Sequence, residues 1–227
     1  MTALTAHHKK ILAEHGWLFL RDPILADDIR AVANLLGPPV SSPGAPSIES
    51  LRPRSETDAR VNTTSSIYGL NQFPLHTDMA HWPLPPRYLV MRASVVATSV
   101  PTLLVDSRNL ELGENKLNEW RRALWRVSRV HRPYLCSLFF QHDGIAGIRW
   151  DVCTMSPYGR VATRIASDVV AGLDDLLVKR SIRIDWSSTD ELLVVDNWRM
   201  LHARPPVTAS ASNRTIQRAM AGVSTNE

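Results

Sequence analysis

The chain has 227 residues, 44% of them hydrophobic and 21% charged, the balance of an ordinary globular protein with material for one sizeable core and too little for two. Its formal charge of +4 favours anionic ligands, but the basic residues are dispersed and form no dense Lys/Arg stripe, which argues against a nucleic-acid-binding surface. No apolar run approaches membrane-spanning length, and the opening MTALTAHHKKILAEHGW has no apolar signal core, so a cytoplasmic location is expected.

In chain order, a helix is predicted over Ala6–His15 and a short strand over Trp17–Arg21. A second helix, Ala26–Leu36, places Ile29, Val32, Ala33 and Leu36 at helical spacing, and Gly37-Pro38-Pro39 stops it. Val40–Ser66 is rich in Ser, Pro, Arg and Thr without a period, the composition of a loop or a lid. Strands are then expected at Ile67–Gly69, Pro74–Asp78, Tyr88–Ala97 and Thr102–Asp106. An amphipathic helix over Leu117–Val127 follows, then strands at Tyr134–Gln141 and Gly147–Val152. A further helix over Arg164–Val178 turns Ile165, Val169, Leu173, Leu176 and Leu177 inward. The last strands are Ile182–Trp186, Glu191–Asp196, Met200–Arg204 and Arg214–Val223. Many short strands with a few helices point to an α+β, mainly β chain of one domain built on a sandwich or barrel. Cys136 and Cys153 form no CxxC or metal-spacing pattern and read as buried or half-buried thiols of a reducing compartment.

The chemistry begins at Leu75-His76-Thr77-Asp78. Residues two apart on a strand share a face, so His76 and Asp78 can reach one metal ion with Thr77 turned away. Imidazole and carboxylate together suit iron(II). Such a short motif is weak alone. Far downstream, Asp196-Asn197-Trp198-Arg199-Met200-Leu201-His202-Ala203-Arg204 offers His202, which would complete two histidines and one carboxylate. That facial set leaves coordination positions for a co-substrate and O₂. Beyond it, Asn213-Arg214-Thr215-Ile216-Gln217-Arg218 alternates like a strand, so Arg214, Ile216 and Arg218 face one way. Two inward guanidiniums need anionic partners, and a dicarboxylate matches their planar forks.

The order HTD, Thr102 in PTLL, DNWRMLHAR and NRTIQR resembles the taurine dioxygenase (TauD/TfdA) and clavaminate synthase-like family of 2-oxoglutarate-dependent oxygenases. Ile148-Arg149-Trp150-Asp151 and Ser156-Pro157 are similar to the segment before that family's inserted helix. The resemblance runs from about Trp17 onward and is weak over Val40–Ser66. It implies a double-stranded β-helix, a jelly-roll, with flanking helices. Its iron ligands would be His76, Asp78 and His202, with Thr102 and Arg214 holding 2-oxoglutarate. Arg218 would be a second arginine lining the site toward co-substrate or an acidic substrate. The resemblance also implies hydroxylation of an unactivated carbon of a small metabolite, with release of succinate and CO₂. Asp78 fills the position that halogenating relatives leave small, which favours hydroxylation or desaturation. His202-Ala203-Arg204 replaces the common His-Gly-Arg, and the chain is shorter than typical members.

Among the remaining residues, Val40–Ser66 is the candidate lid, with Arg52, Arg54 and Arg60 as possible readers of an acidic group. Asn197 and Arg199 are expected to orient His202. His81, His131 and His142 read as surface, strand or turn residues, and Trp82, Trp150 and Trp198 as core. Two other readings compete: a cupin-like binding or sensor protein that holds metal or dicarboxylate without turnover, and a zinc hydrolase on the same ligands. No acidic residue is evidently placed as the general base that the hydrolase needs.

Overall fold

The computed structural model describes residues 3–59, 63–128 and 132–223. Helix α1 (Ala6–His15) starts at Thr5, whose hydroxyl accepts from the His8 N–H, and closes at Gly16 in the left-handed region (φ 80°). Strand β1 (Trp17–Arg21) follows. The second predicted helix is two helices, α2 (Pro23–Asp27) and α3 (Ile29–Asn34). Asp22 caps the first, with Pro23 at its opening position. Asp28 breaks the run because its own carboxylate caps the second helix, accepting from the Ala31 N–H at 2.9 Å.

The stretch expected to be a loop contains β2 (Pro39–Val40) and β3 (Glu49–Leu51), both paired to the last strand of the chain. The strand expected at Ile67–Gly69 is instead a helical turn, α4 (Ser65–Tyr68), ended by Gly69 at φ 50°. Then come β4 (Phe73–His76), β5 (Tyr88–Val95) and β6 (Thr102–Asp106).

Helix α5 (Glu114–Arg122) ends earlier than predicted, and Leu124–Val127 is strand β7. Trp125 and Val127 are buried while Leu124 and Arg126 face out, so the period there is two and not 3.6. The strand expected over Tyr134–Gln141 divides into β8 (Tyr134–Ser137) and β9 (Phe139–His142), and β10 is Ile145–Ile148 instead of Gly147–Val152. After β11 (Met155–Tyr158), helix α6 spans Gly159–Arg180. The chain ends on β12 (Ile182–Ile184), β13 (Glu191–Asp196), β14 (Met200–Arg204) and β15 (Thr215–Ala221).

Two antiparallel sheets carry the site. One has the order β1-β13-β5-β15-β2, with β3 also on β15; the other has the order β12-β6-β14-β4. Alternation along the strands sets the layers. Leu89, Met91 and Ala93 of β5, Leu193 and Val195 of β13 and Ile216 of β15 pack with Leu104 of β6, Ile184 of β12 and Met200 of β14, and so lie between the sheets. The opposite parity, Val90, Leu192, Val194 and Ala219, packs under α1–α3 through Leu12, Leu25, Ile29 and Val32. Residues 89–91 of β5 and 192–195 of β13 are therefore buried on both faces and read as unbroken apolar runs. Leu75, Val105, Leu201 and Ala203 on the back of the second sheet pack with Trp120 of α5 and Ile165, Val169 and Leu173 of α6. Each such Val, Leu, Ile or Met side chain, fully buried, contributes about 1.5–3 kcal/mol. The result is a sandwich with flanking helices, one of the two architectures the strand pattern implied, and agrees with the jelly-roll that the family resemblance implied. Because Leu201 and Ala203 face α6, His202 between them faces the other sheet. Among the described residues no helix is long and apolar enough to cross a membrane.

Candidate metal centre

His76 ends β4 and pairs in register with His202 of β14, which sets their rings 4.2 Å apart, centroid to centroid. The strand stops at His76, short of the predicted end at Asp78. Thr77 turns away, taking the Trp150 N–H on its hydroxyl at 3.0 Å and donating its own N–H to the Trp150 carbonyl at 2.8 Å. Asp78 then enters a turn whose next residue, Met79, has φ 54°. Asn197 holds that turn: its side-chain oxygen accepts from Asp78 N–H at 2.9 Å, and its amide nitrogen donates to the carbonyls of Asp78 and Pro86. Asn197 thus fixes Asp78 and not His202, as the sequence had suggested. Arg199 is also elsewhere, paired with Asp106 at 2.5 Å and donating to the last carbonyls of α1 at Ala13 and Glu14.

The ligand atoms of His76, Asp78 and His202 all lie within 4.8 Å of one another. Asp78 Oδ1 is 3.9 Å from His76 Nε2 and 3.7 Å from His202 Nε2. Those gaps are too long for hydrogen bonds, yet shorter than twice a metal–ligand bond of about 2.1 Å. His76 Nδ1 lies 3.0 Å from the Pro74 carbonyl. A carbonyl can only accept, so Nδ1 carries the proton and the Nε2 lone pair points to the gap. Burial, then the neighbouring His202 imidazole, holds the His76 pKa below its ordinary value against the opposing pull of Asp78. Burial alone would raise the Asp78 carboxyl, but Arg218 and the two imidazoles outweigh it and hold the group far below the usual carboxylate range. A neutral His76 imidazole and an ionised Asp78 carboxylate are the forms in which these two groups bind a divalent ion. The donor set fits a metal.

Beside it lies an unmatched positive charge. Arg214 donates Nη2 to the Thr102 hydroxyl at 3.2 Å, and Trp186 donates its indole N–H to the same oxygen at 3.0 Å. With both lone pairs engaged, the Thr102 proton remains free to donate onward. Among the described residues, no carboxylate pairs with Arg214 or with the nearby Arg204, and the Nε of each is buried without a partner. Burial lowers both arginines to about 10, the proximity of Arg204 adding to the effect on Arg214. Arg204 donates to the carbonyls of Gly69 and Asn71 and lies over the Phe73 ring at 4.0 Å. An anionic group that takes the free Thr102 proton and the Arg214 fork would relieve the buried charge.

Arg218 is engaged differently from the sequence expectation. Its Nη1 donates to Asp78 Oδ2 and its Nη2 to Glu49 Oε2, so it braces a carboxylate of the triad and offers no open fork to a dicarboxylate. Sequence reasoning missed Glu49 and Trp186. For Trp186 a signal existed, since a buried indole N–H needs a partner; for Glu49 none did. His81 is in the turn after Asp78, and burial lowers its pKa against the pull of Asp151 and Asp78; it is not in the ligand cluster. Trp150 packs edge-on against Trp125 at 5.0 Å, and buried Trp198 donates to the Pro85 carbonyl, both as core residues. Both cysteines are half-buried. Arg52 and Arg54 are solvent-exposed, while Arg60 and His131 lie outside the described residues.

The search of curated proteins finds no match. Solved structures do match in fold. An asparagine oxygenase in complex with Fe(II), 2S,3S-3-hydroxyasparagine and succinate aligns with TM-score 0.74 at 14% identity, over 95% of this chain and 77% of the other. The non-heme iron oxygenase OrfP, in complex with Fe and alpha-ketoglutaric acid, aligns with TM-score 0.73 at 16% identity, over 96% and 78%. PvcB from Pseudomonas aeruginosa aligns with TM-score 0.68 at 19% identity, over 94% and 78%. At these identities the likeness is one of fold. The sequence itself matches the family described as taurine catabolism dioxygenase TauD, TfdA over residues 2–220, nearly its whole length, and the chain belongs to that family.

Proposed function

We propose that the chain is a single-domain, Fe(II)- and 2-oxoglutarate-dependent oxygenase that hydroxylates an unactivated C–H bond of a small metabolite. The observation that carries this reading is the convergence of His76, Asp78 and His202 within 4.8 Å, next to an arginine and a hydroxyl with no anion of their own. In it His76 Nε2, Asp78 Oδ1 and His202 Nε2 hold the metal. When bound, ferrous iron with 2-oxoglutarate and O₂ supplies the oxidation, yielding succinate, CO₂ and an oxidised substrate carbon.

The protein's own work is positioning and shielding. Arg214 and Thr102 hold the far carboxylate of 2-oxoglutarate, and Trp186 fixes the Thr102 rotor so that its proton points to that group. Arg218 keeps Asp78 ionised and turned to the metal. The apolar layer between the sheets excludes water from the oxidation. Of the segment expected to act as a lid, residues 41–48 are the candidate cover, since Ser42 donates to the Met79 sulfur at 3.8 Å beside the Asp78 turn. Two of the fold neighbours are complexes with hydroxylated amino acids, 3-hydroxyasparagine and (3S)-hydroxy-L-Arg, so free amino acids are the first substrates to test.

The test is O₂-dependent succinate formation from 2-oxoglutarate with Fe(II) and ascorbate, screened over amino acids and acidic metabolites. Stimulated succinate release, abolished by His76→Ala and by Arg214→Ala, is the expected outcome. Metal-independent ligand binding without succinate would point instead to a binding or sensor protein, and turnover with zinc but without 2-oxoglutarate to a hydrolase.

A further inference from the structure

Glu49 has no part in the reading above. It stands on β3, directly opposite Arg218 in the antiparallel pairing of β3 with β15, and its carboxylate takes Arg218 Nη2 while Asp78 Oδ2 takes Nη1. The Glu49, Arg218 and Asp78 side chains are only 17%, 6% and 11% exposed. The other Asp78 oxygen, Oδ1, is the one that faces both imidazoles. A buried guanidinium with one carboxylate partner tends to take both of its oxygens in a fork. A second carboxylate on its other terminal nitrogen, Nη2, occupies that donor and leaves Asp78 held through one oxygen. The second carboxylate also offsets a buried positive charge that would otherwise oppose a cation.

We propose that Glu49 is a positioning residue of the metal centre, acting through Arg218 to keep Asp78 Oδ1 turned toward His76 and His202. Strand β3 thereby ties the segment after α3 to the metal site. The role rests on the proposed metal assignment, and the test separates the two.

The probe is Co(II), titrated into the metal-free protein and followed by its visible absorption, with neither 2-oxoglutarate nor turnover involved. Glu49→Gln keeps size and one accepting oxygen but removes the charge, and its dissociation constant for Co(II) should rise about tenfold, the lower end for groups that orient a ligand. Glu49→Asp keeps the charge on a shorter arm and should show an intermediate rise of about threefold. In an Arg218→Gln background, Glu49→Gln should change the constant less than about twofold, because the residue through which it acts is gone. Near-ultraviolet circular dichroism checks that each variant folds; should Glu49→Gln not fold, Glu49→Asp carries the comparison. Parent-like Co(II) affinity in the folded Glu49 variants, or an equal loss with and without Arg218, overturns the proposal. A parent protein that takes up no Co(II) defeats the metal assignment itself, and this role with it.

Discussion

Thr102 shows how much one hydroxyl can decide. It accepts from Trp186 and from Arg214, so its single proton has one direction left. Thr102→Val keeps the shape and removes the donor. The expected result is a KM for 2-oxoglutarate raised about tenfold, near 1.4 kcal/mol, with kcat little changed, as for a group that binds ground state and transition state alike. Steady-state kinetics over 2-oxoglutarate concentration checks it. His76 makes a prediction of a different kind. Its folded pKa lies below the unfolded value because burial and His202 disfavour the cation. The unfolded chain therefore binds the proton more readily, so the contribution to stability is complete above about pH 6.5 and is lost as pH falls. Denaturant melts of the metal-free protein should show that loss, and His76→Asn, which does not titrate, should reduce it. Asp78, depressed by Arg218 and the imidazoles against its own burial, adds a second loss only below about pH 4.

At the scale of elements, the end of α1 is a tightly specified junction. Gly16 sits at φ 80°, and a Cβ there would meet Met200 Sδ at 2.8 Å and Arg199 Cδ at 2.9 Å. Its carbonyl accepts from Asp196 N–H at 2.8 Å, so the helix is docked on the turn that leads into His202. Gly16→Ala should cost at least about 1–2 kcal/mol, from the left-handed backbone alone, measured as a fall in the unfolding midpoint. Strands buried on one face or both were legible because their periods are local: β5, β6, β13 and β14 lie where the apolar runs placed them. The missed elements share a cause. The run Leu117–Val127 carries apolar residues that fit a helix, yet Trp125 and Val127 pair with β8 and β11, partners that no window on the sequence contains. The pairing of β3 with β15 is hidden in the same way, and with it the Glu49–Arg218 contact. Helix α2 and helix α3 were read as one because a capping aspartate inside an apolar period looks like a surface residue until its hydrogen bond is seen.

For the whole molecule, the layers explain why His76, Asp78 and His202 meet. Leu75, Leu201 and Ala203 must pack against α6, which turns His76 and His202 to the interior of the sandwich. Arg214 and Arg218 come to the same interior from β15 and the residue before it, on the facing sheet. Leu193→Ala, between the sheets, should lower stability by about 2–5 kcal/mol in denaturant melts, without moving any ligand in sequence. The triad itself was legible from His76-Thr77-Asp78 and one distant histidine, although Asp78 reaches the site from the turn after β4 and not along the strand. The roles of Asn197, Arg199 and Arg218 were not, because each depends on which backbone or carboxylate lies across a contact distant in sequence.

A crystal structure grown without oxygen, with Mn(II) in place of iron and with 2-oxoglutarate, tests the central claim most directly. The expected result is one anomalous peak bonded to His76 Nε2, Asp78 Oδ1 and His202 Nε2, and a dicarboxylate whose far end meets Arg214 and the Thr102 hydroxyl. A metal bound elsewhere, or His202 turned away from the peak that His76 and Asp78 share, would contradict it.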